Sequence, residues 1–361
     1  MEEKQKRNII ALGFTSFFND ISSEAIYGLL PLYLQNPSMI GFVGGLFNGL
    51  GSIFKFVFGY LSDKIGKRKP LVFLGYLTSA ISKFTIAISK GPLLVVGIFG
   101  DRVGKGIRTS PRDAILAEAK RRGYAFGLHR AMDTLGAITG AILMYFLLRI
   151  GWNIRKAMLF AALIGFFSLL PLFIVVEPKI KKRKAFGSFK LSRESKVFLF
   201  ATFFMGLASI SPMLLIKQAS EFVGIESLLF YTLYNISYVI STKRLGSFSD
   251  IVGRKKILLL SSLTISAALA FGSLGKFFLL FSFVLYGIGI GGFMSTAPAE
   301  IGDIEKEAKG TALGIFHMIY GIGVLIGSIA VGNLIERMGN SALLYPCFAG
   351  ALSLPFFLKL K

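Results

Sequence analysis

The sequence predicts an all-α membrane protein with twelve transmembrane helices, arranged in two pseudo-symmetric six-helix halves. Three observations support this prediction. Of the 361 residues, 53% are hydrophobic and only 17% are charged, whereas about 25% of an average soluble domain is charged. Apolar runs follow one another along the whole chain, and the mean hydropathy is +0.66. The first half of the sequence also resembles the second.

The apolar runs have the length of membrane spans. A helix rises 1.5 Å per residue, so roughly 20 residues cross a hydrocarbon core about 30 Å thick. These runs must be helical within a bilayer, because unpaired backbone groups find no water there. We interpret the first run as a retained span and not as a signal peptide. Spans 1 to 12 are predicted at 9–34, 38–61, 70–89, 91–113, 123–149, 155–176, 197–217, 224–245, 257–274, 277–300, 310–333 and 340–358.

The basic residues set the predicted orientation. The net charge is +22, and most Lys and Arg residues lie in alternate short loops, with the largest cluster at 177–196. The positive-inside rule therefore predicts a multi-pass protein with both termini in the cytoplasm; the plasma membrane of a prokaryotic cell is the location that the family resemblance described below implies. The net positive charge is explained by the orientation of the loops in the membrane and by their attraction to anionic lipid headgroups. We therefore expect no binding of nucleic acid.

The two halves repeat with a constant offset of 187 residues. Gly59 and Asp63 correspond to Gly246 and Asp250, for example, and Asn48 corresponds to Asn235. The repeat predicts an N-terminal six-helix half at 1–176, a basic cytoplasmic linker at 177–196 and a C-terminal six-helix half at 197–361. Duplicated halves are typical of transporters, in which the substrate site lies between the repeats and rocking alternates access to it. Further pairs are Gly66 with Gly253, Lys67 with Arg254, Asp113 with Glu300, and Glu118 with Glu305.

Two loops carry a family signature. Residues 59–68 read GYLSDKIGKR and resemble the loop between helices 2 and 3 of the major facilitator superfamily of secondary transporters. Residues 246–255 resemble the weaker copy of this loop between helices 8 and 9. The run GKGIRTSPRDA at 104–114 is similar to a prokaryotic branch of the superfamily. The resemblance covers the whole chain and implies the fold of that superfamily.

Two further motifs lie in spans 4 and 5. Residues 102–106 read RVGKG and resemble the family motif Arg-x-x-Gln-Gly, with Lys105 in place of Gln. Gly127, Gly136 and Gly140 have the glycine spacing of the antiporter motif. Ala141 stands where that motif continues with Pro, which weakens the inference of antiport.

The resemblance implies a cytoplasmic gate. An acid at Asp63 can sit at the positive N-terminal end of span 11, and Lys67 can pair with Asp113. By the repeat, Asp250, Arg254 and Glu300 form a second latch. Such latches would hold the outward-facing state and break during rocking; the alternative is that these charges only anchor short loops. The predicted gate residues are Gly59, Asp63, Gly66, Lys67, Arg68, Asp113, Gly246, Asp250, Gly253, Arg254 and Glu300.

Charged residues inside spans are candidates for proton coupling. A charge at mid-bilayer is costly unless it is paired or hydrated, so such residues are by default functional candidates. Counted from the nearer end of their spans, Asp20, Arg102 and Asp133 reach the midplane, about 15 Å deep. Glu24 shares a helix face with Asp20, and Arg130 shares one with Asp133. We expect these five residues to form a central ion network; a purely structural network is the alternative.

The predicted cavity is charged on one side and aromatic on the other. The second half has Tyr320 at the position of Asp133, and His317 at that of Arg130. This asymmetry suits a solute with an apolar body and a polar or anionic group. The aromatic residues could instead face lipid or fill helix contacts, and the two Asn residues could join helices. The predicted cavity residues are Asn48, Lys105, Arg108, Asn235, Tyr231, Tyr238, His317 and Tyr320.

The sequence argues against catalysis and against bound cofactors. It has no P-loop and no spacing of nucleophile, His and acid. The run at 287–292 matches a dinucleotide fingerprint only by pattern, because it lies inside an apolar span. One Cys and two His exclude a metal site built from Cys or from several His.

The predicted function is secondary active transport by alternating access. We expect proton-coupled efflux of a small amphipathic or anionic solute by a monomer. The alternatives are a uniporter or importer, including one for metal cations, and a lipid flippase of the same fold. A membrane-embedded enzyme is the rival from another class.

Overall fold

The computed structural model describes residues 2–65, 67–120, 122–177, 191–305 and 309–360. Gly66 and most of the predicted linker lie outside these residues. Gly59 and Asp63 belong to a helix whose backbone is described, but the contacts at these two positions are outside the description. The described residues form α-helices and short 3-10 turns, without a strand in any of these ranges. The predicted all-α fold is confirmed.

The first six helices correspond to predicted spans 1 to 6. Helix α1 contains the polar N-terminal residues as well as the first apolar run. Helix α6 is followed by a 3-10 turn at Leu170–Ile174. The bounds are α1 Glu2–Leu34, α2 Pro37–Ile65, α3 Lys69–Ile88, α4 Pro92–Leu116, α5 Arg122–Arg149 and α6 Ile154–Phe167.

Predicted span 7 is divided into two helices. Helix α7 ends at Ala208, and α8 begins at Pro212. A residue before Pro is disfavoured in the helical conformation, and Ser211 is indeed extended, with φ −60° and ψ 128°. By the repeat offset, Pro212 corresponds to Ala25, which lies inside the unbroken helix α1. The bounds are α7 Arg193–Ala208, α8 Pro212–Val223, α9 Ser227–Val252, α10 Arg254–Ser273, α11 Leu279–Ile304, α12 Lys309–Met338 and α13 Leu344–Leu358.

Several helices are long and apolar enough to cross a membrane. Seven such stretches occur among the described residues, judged by length and composition, and the two longest, Arg193–Val252 and Thr311–Leu358, each contain more than one helix. Helix α4 is not among the seven; its apolar run is interrupted by Asp101, Arg102 and Lys105. The number of twelve spans stays a prediction.

Contacts divide the chain into two compact units. The first consists of Met1–Leu30 and Ile53–Phe186, and the second of Pro31–Ser52 and Gly187–Lys361. The beginning of α2 therefore packs with the second unit, although it lies in the first predicted half. The predicted domain boundaries at 177–196 stay a prediction.

Close helix pairs occur at equivalent places in the two units. The first carbon of a side chain at Gly136 in α5 would lie 2.5 Å from the carbonyl oxygen of Phe17 in α1. At Gly323 in α12, it would lie 2.7 Å from the carbonyl oxygen of Phe203 in α7. Gly136 and Gly323 differ by the repeat offset of 187, so each unit uses a glycine to bring the same helix pair into backbone contact.

The beginning of α2 packs against α12 within the second unit. A side chain at Gly332 would bring its first carbon 2.6 Å from the carbonyl oxygen of Pro37 and 2.9 Å from the Cα of Gly41. The Ser38 amide donates a hydrogen bond to Glu336 Oε1 at 3.4 Å. The two helices touch along their backbones, which leaves no room for side chains at these glycines.

Candidate functional site

Helix α4 carries a buried ion pair between adjacent residues. The Arg102 guanidinium pairs with one carboxylate oxygen of Asp101, and Ser79 Oγ from α3 donates a hydrogen bond to the other oxygen. Asp101 is 0% exposed and Arg102 is 4% exposed. Burial of these charges is tolerated because they are paired and hydrogen-bonded.

Sequence analysis missed Asp101 as the partner of Arg102. Adjacent helix residues point about 100° apart, so an argument from shared helix faces does not pair them. The long Arg side chain bends back to its neighbour. An Asp-Arg dipeptide inside an apolar run was the available signal. The proposed role of Arg102 in a central network stays a prediction.

A buried lysine joins α3 to α1. Lys83 is 1% exposed, and its Nζ donates hydrogen bonds to Asn19 Oδ1 at 2.9 Å, to Asn19 O at 3.2 Å and to Ser23 Oγ at 3.2 Å. Asn19 Nδ2 in turn donates a hydrogen bond to Asp20 Oδ1 at 2.8 Å. Sequence analysis also missed Lys83, although a lone lysine inside span 3 was a signal of the same kind as Arg102.

Two predicted acids meet between α1, α4 and α5. Asp20 interacts electrostatically with Asp133 on α5 and with Lys105 and Arg108 on α4. Gly136 lies beside it, since the first carbon of a side chain there would be 3.2 Å from Asp20 Cβ. The structure therefore brings together two carboxylates and two cations from three helices.

The neighbours of this group differ from the expected ones. Asp133 lies 3.5 Å from Nε2 of the buried His129, measured at Asp133 Oδ1, whereas sequence analysis paired it with Arg130. Arg130 is exposed, and Glu24 is half-buried on α1. The Arg108 guanidinium lies 4.6 Å from the centre of the Tyr76 ring in α3. Arg108 is thus directed toward α3.

The second unit holds a row of tyrosines. Tyr231 and Tyr238 flank Tyr234 on one face of α9, with ring centres 5.8 Å and 6.4 Å from that of Tyr234. The Tyr286 ring of α11 lies 5.9 Å from Tyr234, and its hydroxyl donates a hydrogen bond to the carbonyl oxygen of Ile210 at 2.6 Å. Tyr231 is buried and Tyr238 is half-buried.

A second aromatic group lies on α12 and on its neighbour α11. The His317 ring centre lies 5.1 Å from that of Phe316, and the Tyr320 ring lies 5.6 Å from Phe293. The Tyr320 hydroxyl interacts with the Ser209 side chain at the break between α7 and α8. Aromatic side chains thus dominate this part of the second unit.

The two predicted cavity asparagines are both half-buried. Asn48 lies in α2 and Asn235 in α9, and both belong to the second unit. The Nδ2 atom of Asn235 is buried and has no hydrogen-bond partner within the described part of the chain. Such an unsatisfied donor is consistent with a role in contacting a polar group.

Acidic side chains hold the loop around Arg68. The Arg68 and Lys69 amides each donate a hydrogen bond of 2.7 Å to one oxygen of the Glu177 carboxylate. The Arg68 guanidinium contacts Glu118 Oε1 at 3.3 Å and the Ala114 carbonyl at 2.9 Å. Glu177 therefore caps the N-terminus of α3, where negative charge is favourable.

The predicted pair of Lys67 and Asp113 is not among the ion pairs of the described ranges. Lys67 is exposed, and Asp113 binds the adjacent Arg112 at 2.8 Å. The Asp113 carboxylate therefore pairs with a neighbour on its own helix and not with the loop residue Lys67. The gating role of Lys67 and Asp113 stays a prediction.

The second predicted latch contains one more acid than expected. Arg254 Nη2 lies 3.7 Å from Asp250 Oδ1, and the same guanidinium pairs with Asp303. Glu300 interacts electrostatically with Arg254. Asp303 follows Glu300 by about one helical turn, which was the available signal. Gly253 has φ +97°, a conformation that favours glycine, and it ends α9; Gly246 packs beside Ser295.

Glu305 joins α7 to the end of α11. It accepts hydrogen bonds from the Ser192 amide at 2.8 Å and from Ser195 Oγ at 2.6 Å. Burial raises the pKa of Glu305, but these hydrogen bonds outweigh it and hold the pKa below its ordinary value. At the repeat-equivalent place, Gln5 Nε2 donates to the Glu118 carbonyl at 3.0 Å.

Several long apolar helices, some with charges inside them, indicate a multi-pass membrane protein. The model of the Major Facilitator Superfamily matches residues 12–216 and 197–361. The chain belongs to this superfamily, as the sequence motifs indicated. It is therefore a membrane transporter for small molecules and not an enzyme.

Two relatives agree with this assignment. The chain is 37% identical to the uncharacterized MFS-type transporter MJ1317 of Methanocaldococcus jannaschii, over 95% of this chain and 92% of that protein. It is 27% identical to the multidrug resistance protein MdtH of Citrobacter koseri, over 92% and 85%.

The fold is shared with solved transporters. A mutant of the nucleoside transporter NupG superposes with a TM-score of 0.82 at 16% identity, covering 98% of this chain and 99% of that one. The peptide transporter POT, in complex with sulfate, has a TM-score of 0.79 at 13% identity and coverage of 98% and 93%. At these identities the likeness concerns the fold alone.

Proposed function

We propose that the protein is a proton-coupled secondary active transporter that exports a small amphipathic or anionic solute. The observation that carries this proposal is the group of Asp20 and Asp133 beside Lys105 and Arg108. Neighbouring carboxylates disfavour being ionised at the same time, and nearby cations favour ionisation. Such a group can exchange a proton when its access to water changes.

The proposed solute follows from the side-chain chemistry of each unit taken by itself. Charged groups of α1, α4 and α5 would take the polar or anionic part of the solute. The tyrosines of α9 and the ring of Tyr320 offer apolar surfaces for its body, and Asn235 offers a hydrogen-bond donor. The name of the relative MdtH, a multidrug resistance protein, supports export of such solutes.

We propose a plasma-membrane orientation with both termini in the cytoplasm. The six-helix halves at 1–176 and 197–361 would then be joined by a cytoplasmic linker at 177–196. The predicted gate residues, among them Asp113, Arg254 and Glu300, would lie on the cytoplasmic side, and a monomer would suffice for transport. Labelling of single cysteines from each side of the membrane, in a Cys347→Ser background, tests this topology.

Proteoliposomes with an imposed pH gradient test the proton coupling. With a panel of labelled solutes, we expect the gradient to drive flux of at least one solute in the native protein. Asp20→Asn removes the proton carrier and should abolish the driven component. Arg102→Ala should reduce it as well, because Asp101 loses its partner. Glu221→Gln removes an exposed carboxylate that pairs with Lys217 on the same helix, and it should leave flux unchanged.

Two results would contradict the proposal. Flux that is independent of the pH gradient for every transported solute would favour a uniporter, or a carrier coupled to another ion. Proton-driven flux that persists in Asp20→Asn would show that the proton moves through another group.

A further inference from the structure

Lys83 is buried in α3, and all three of its hydrogen bonds go to α1. Its Nζ contacts Asn19 Oδ1 at 2.9 Å, the Asn19 carbonyl at 3.2 Å and Ser23 Oγ at 3.2 Å. Gly165 of α6 closes this site, since the first carbon of a side chain there would lie 3.4 Å from Nζ. The transport proposal assigns no role to this lysine.

The lysine fixes the orientation of the Asn19 amide. An ammonium group can only donate hydrogen bonds, so it must face the amide oxygen. The amide nitrogen then points the other way, where it donates to Asp20 Oδ1 at 2.8 Å. Without Lys83 the amide could turn over and present its oxygen to the Asp20 carboxylate, an arrangement that disfavours the ionised acid.

Other charged residues act on Lys83 and on Asp20. Lys83 also interacts electrostatically with Asp101, Arg102 and Arg108 of α4. Besides Asn19 of its own helix, the groups that act on Asp20 are Lys83 from α3, Lys105 and Arg108 from α4, and Asp133 from α5. Lys83 is the member of this set that reaches Asp20 through an intervening hydrogen bond.

We propose that Lys83 is a positioning residue for Asp20 and acts through the side chain of Asn19. This inference rests on the proposed function, in which Asp20 carries the proton. Lys83 and Asn19 together hold a hydrogen-bond donor against the ionised carboxylate. Loss of either residue favours protonated Asp20, so proton release then requires a higher pH.

Infrared titration of the full chain in lipid bilayers measures this directly. The carbonyl-stretch band of protonated Asp20 is identified by its loss in Asp20→Asn. We expect Lys83→Met to shift the titration midpoint of this band upward by about one pH unit. Asn19→Leu should shift it in the same direction. Ser23→Ala removes another bond of Lys83 but leaves the relay intact, so its midpoint should match that of the native protein.

The combined variant separates the relay from a simple charge effect. If Lys83 acts through Asn19, the shift in Lys83→Met/Asn19→Leu is smaller than the sum of the two single shifts. Additive shifts, an unchanged midpoint in Lys83→Met, or an Asp20 band that does not titrate would each overturn the inference. Should Lys83→Met fail to fold, an unchanged midpoint in Asn19→Leu overturns it equally.

The same samples distinguish the two proposals. Shifted midpoints without proton-driven flux in the native protein would contradict the proposed function and leave the positioning role intact. Proton-driven flux that depends on Asp20, together with an unshifted midpoint in Lys83→Met and in Asn19→Leu, would contradict only the positioning role.

Discussion

At the scale of single residues, Asp101 allows several cations to be buried in the first unit. Its carboxylate interacts with Arg102, Lys83 and Arg108, and it accepts a hydrogen bond from Ser79. Removing one partner of a buried ion pair is strongly destabilising, because it leaves an uncompensated charge. We therefore regard Asp101 as the main electrostatic support of α3 and α4.

The nearly isosteric substitution Asp101→Asn tests this view. It should lower the free energy of unfolding by about 3–5 kcal/mol, which thermal unfolding in detergent detects as a clear drop in Tm. Glu221→Gln serves as the control, because the Glu221 carboxylate is exposed in its pair with Lys217 and surface pairs contribute about 0–1 kcal/mol. Equal Tm values for the two variants would contradict a supporting role for Asp101.

Sequence reasoning located the candidate acids better than their partners. Asp20 and Asp133 follow from depth in an apolar run, which depends only on helical rise. Lys83 and Asp101 were missed because their importance depends on which helix faces which, and spacing along one helix does not contain that information. The bend of Arg102 toward its neighbour is likewise a matter of side-chain conformation.

At the scale of helices, each unit ties the start of its first helix to the end of its fourth span. In the second unit this tie is the Glu305 carboxylate, bonded to the Ser192 amide and to Ser195 Oγ. In the first unit the Gln5 side chain bonds the Glu118 carbonyl. The contact is equivalent in place, but it joins a neutral amide to a backbone carbonyl and involves no carboxylate.

The tie at Glu305 should weaken in acid. Because the pKa of Glu305 in the folded protein lies below its ordinary value of 4.5, its contribution to stability is complete above that pH. It is lost as the pH falls through the folded value. We expect the Tm difference between native protein and Glu305→Gln to shrink from pH 7 toward strongly acidic pH. A difference that stays constant with pH would refute this.

Helix positions were the most predictable part of the fold. Apolar length and the basic loops predicted where each helix begins and ends to within a few residues at most boundaries. The division of span 7 was not predicted, although Pro212 is visible in the sequence, because a proline inside a membrane helix often only bends it. The grouping of 31–52 with the second unit depends on contacts distant in sequence.

At the scale of the whole molecule, the contact between α2 and α12 links residues from the two predicted halves. It is made of backbone against backbone at Gly41 and Gly332. If the predicted halves rock against each other as we propose, this contact has to open and close once per cycle. A bulky residue here should therefore alter the balance between conformations without touching any charged group.

Gly332→Val tests this dependence on close approach. In a Cys347→Ser background with Ser38→Cys and Glu336→Cys, a short bifunctional reagent should cross-link the two helices and stop flux. Valine at 332 should reduce the cross-linking several-fold, since its side chain meets the Pro37 carbonyl. The matched control is Gly302→Ala, where a first side-chain carbon meets nothing within 4 Å. Undiminished cross-linking in Gly332→Val would refute the argument.

The break at Ser209–Ser211 makes the first helix of the C-terminal repeat easier to bend than the first helix of the N-terminal repeat. In the first copy a continuous helix runs from Glu2 to Leu34, with Pro31 near its end, whereas its counterpart is divided into α7 and α8. The joint is tethered on two sides, by Tyr286 at the Ile210 carbonyl and by Ser328 at the Ser211 amide. Bending during the transport cycle should therefore concentrate in the C-terminal copy, while the N-terminal copy tilts as one piece.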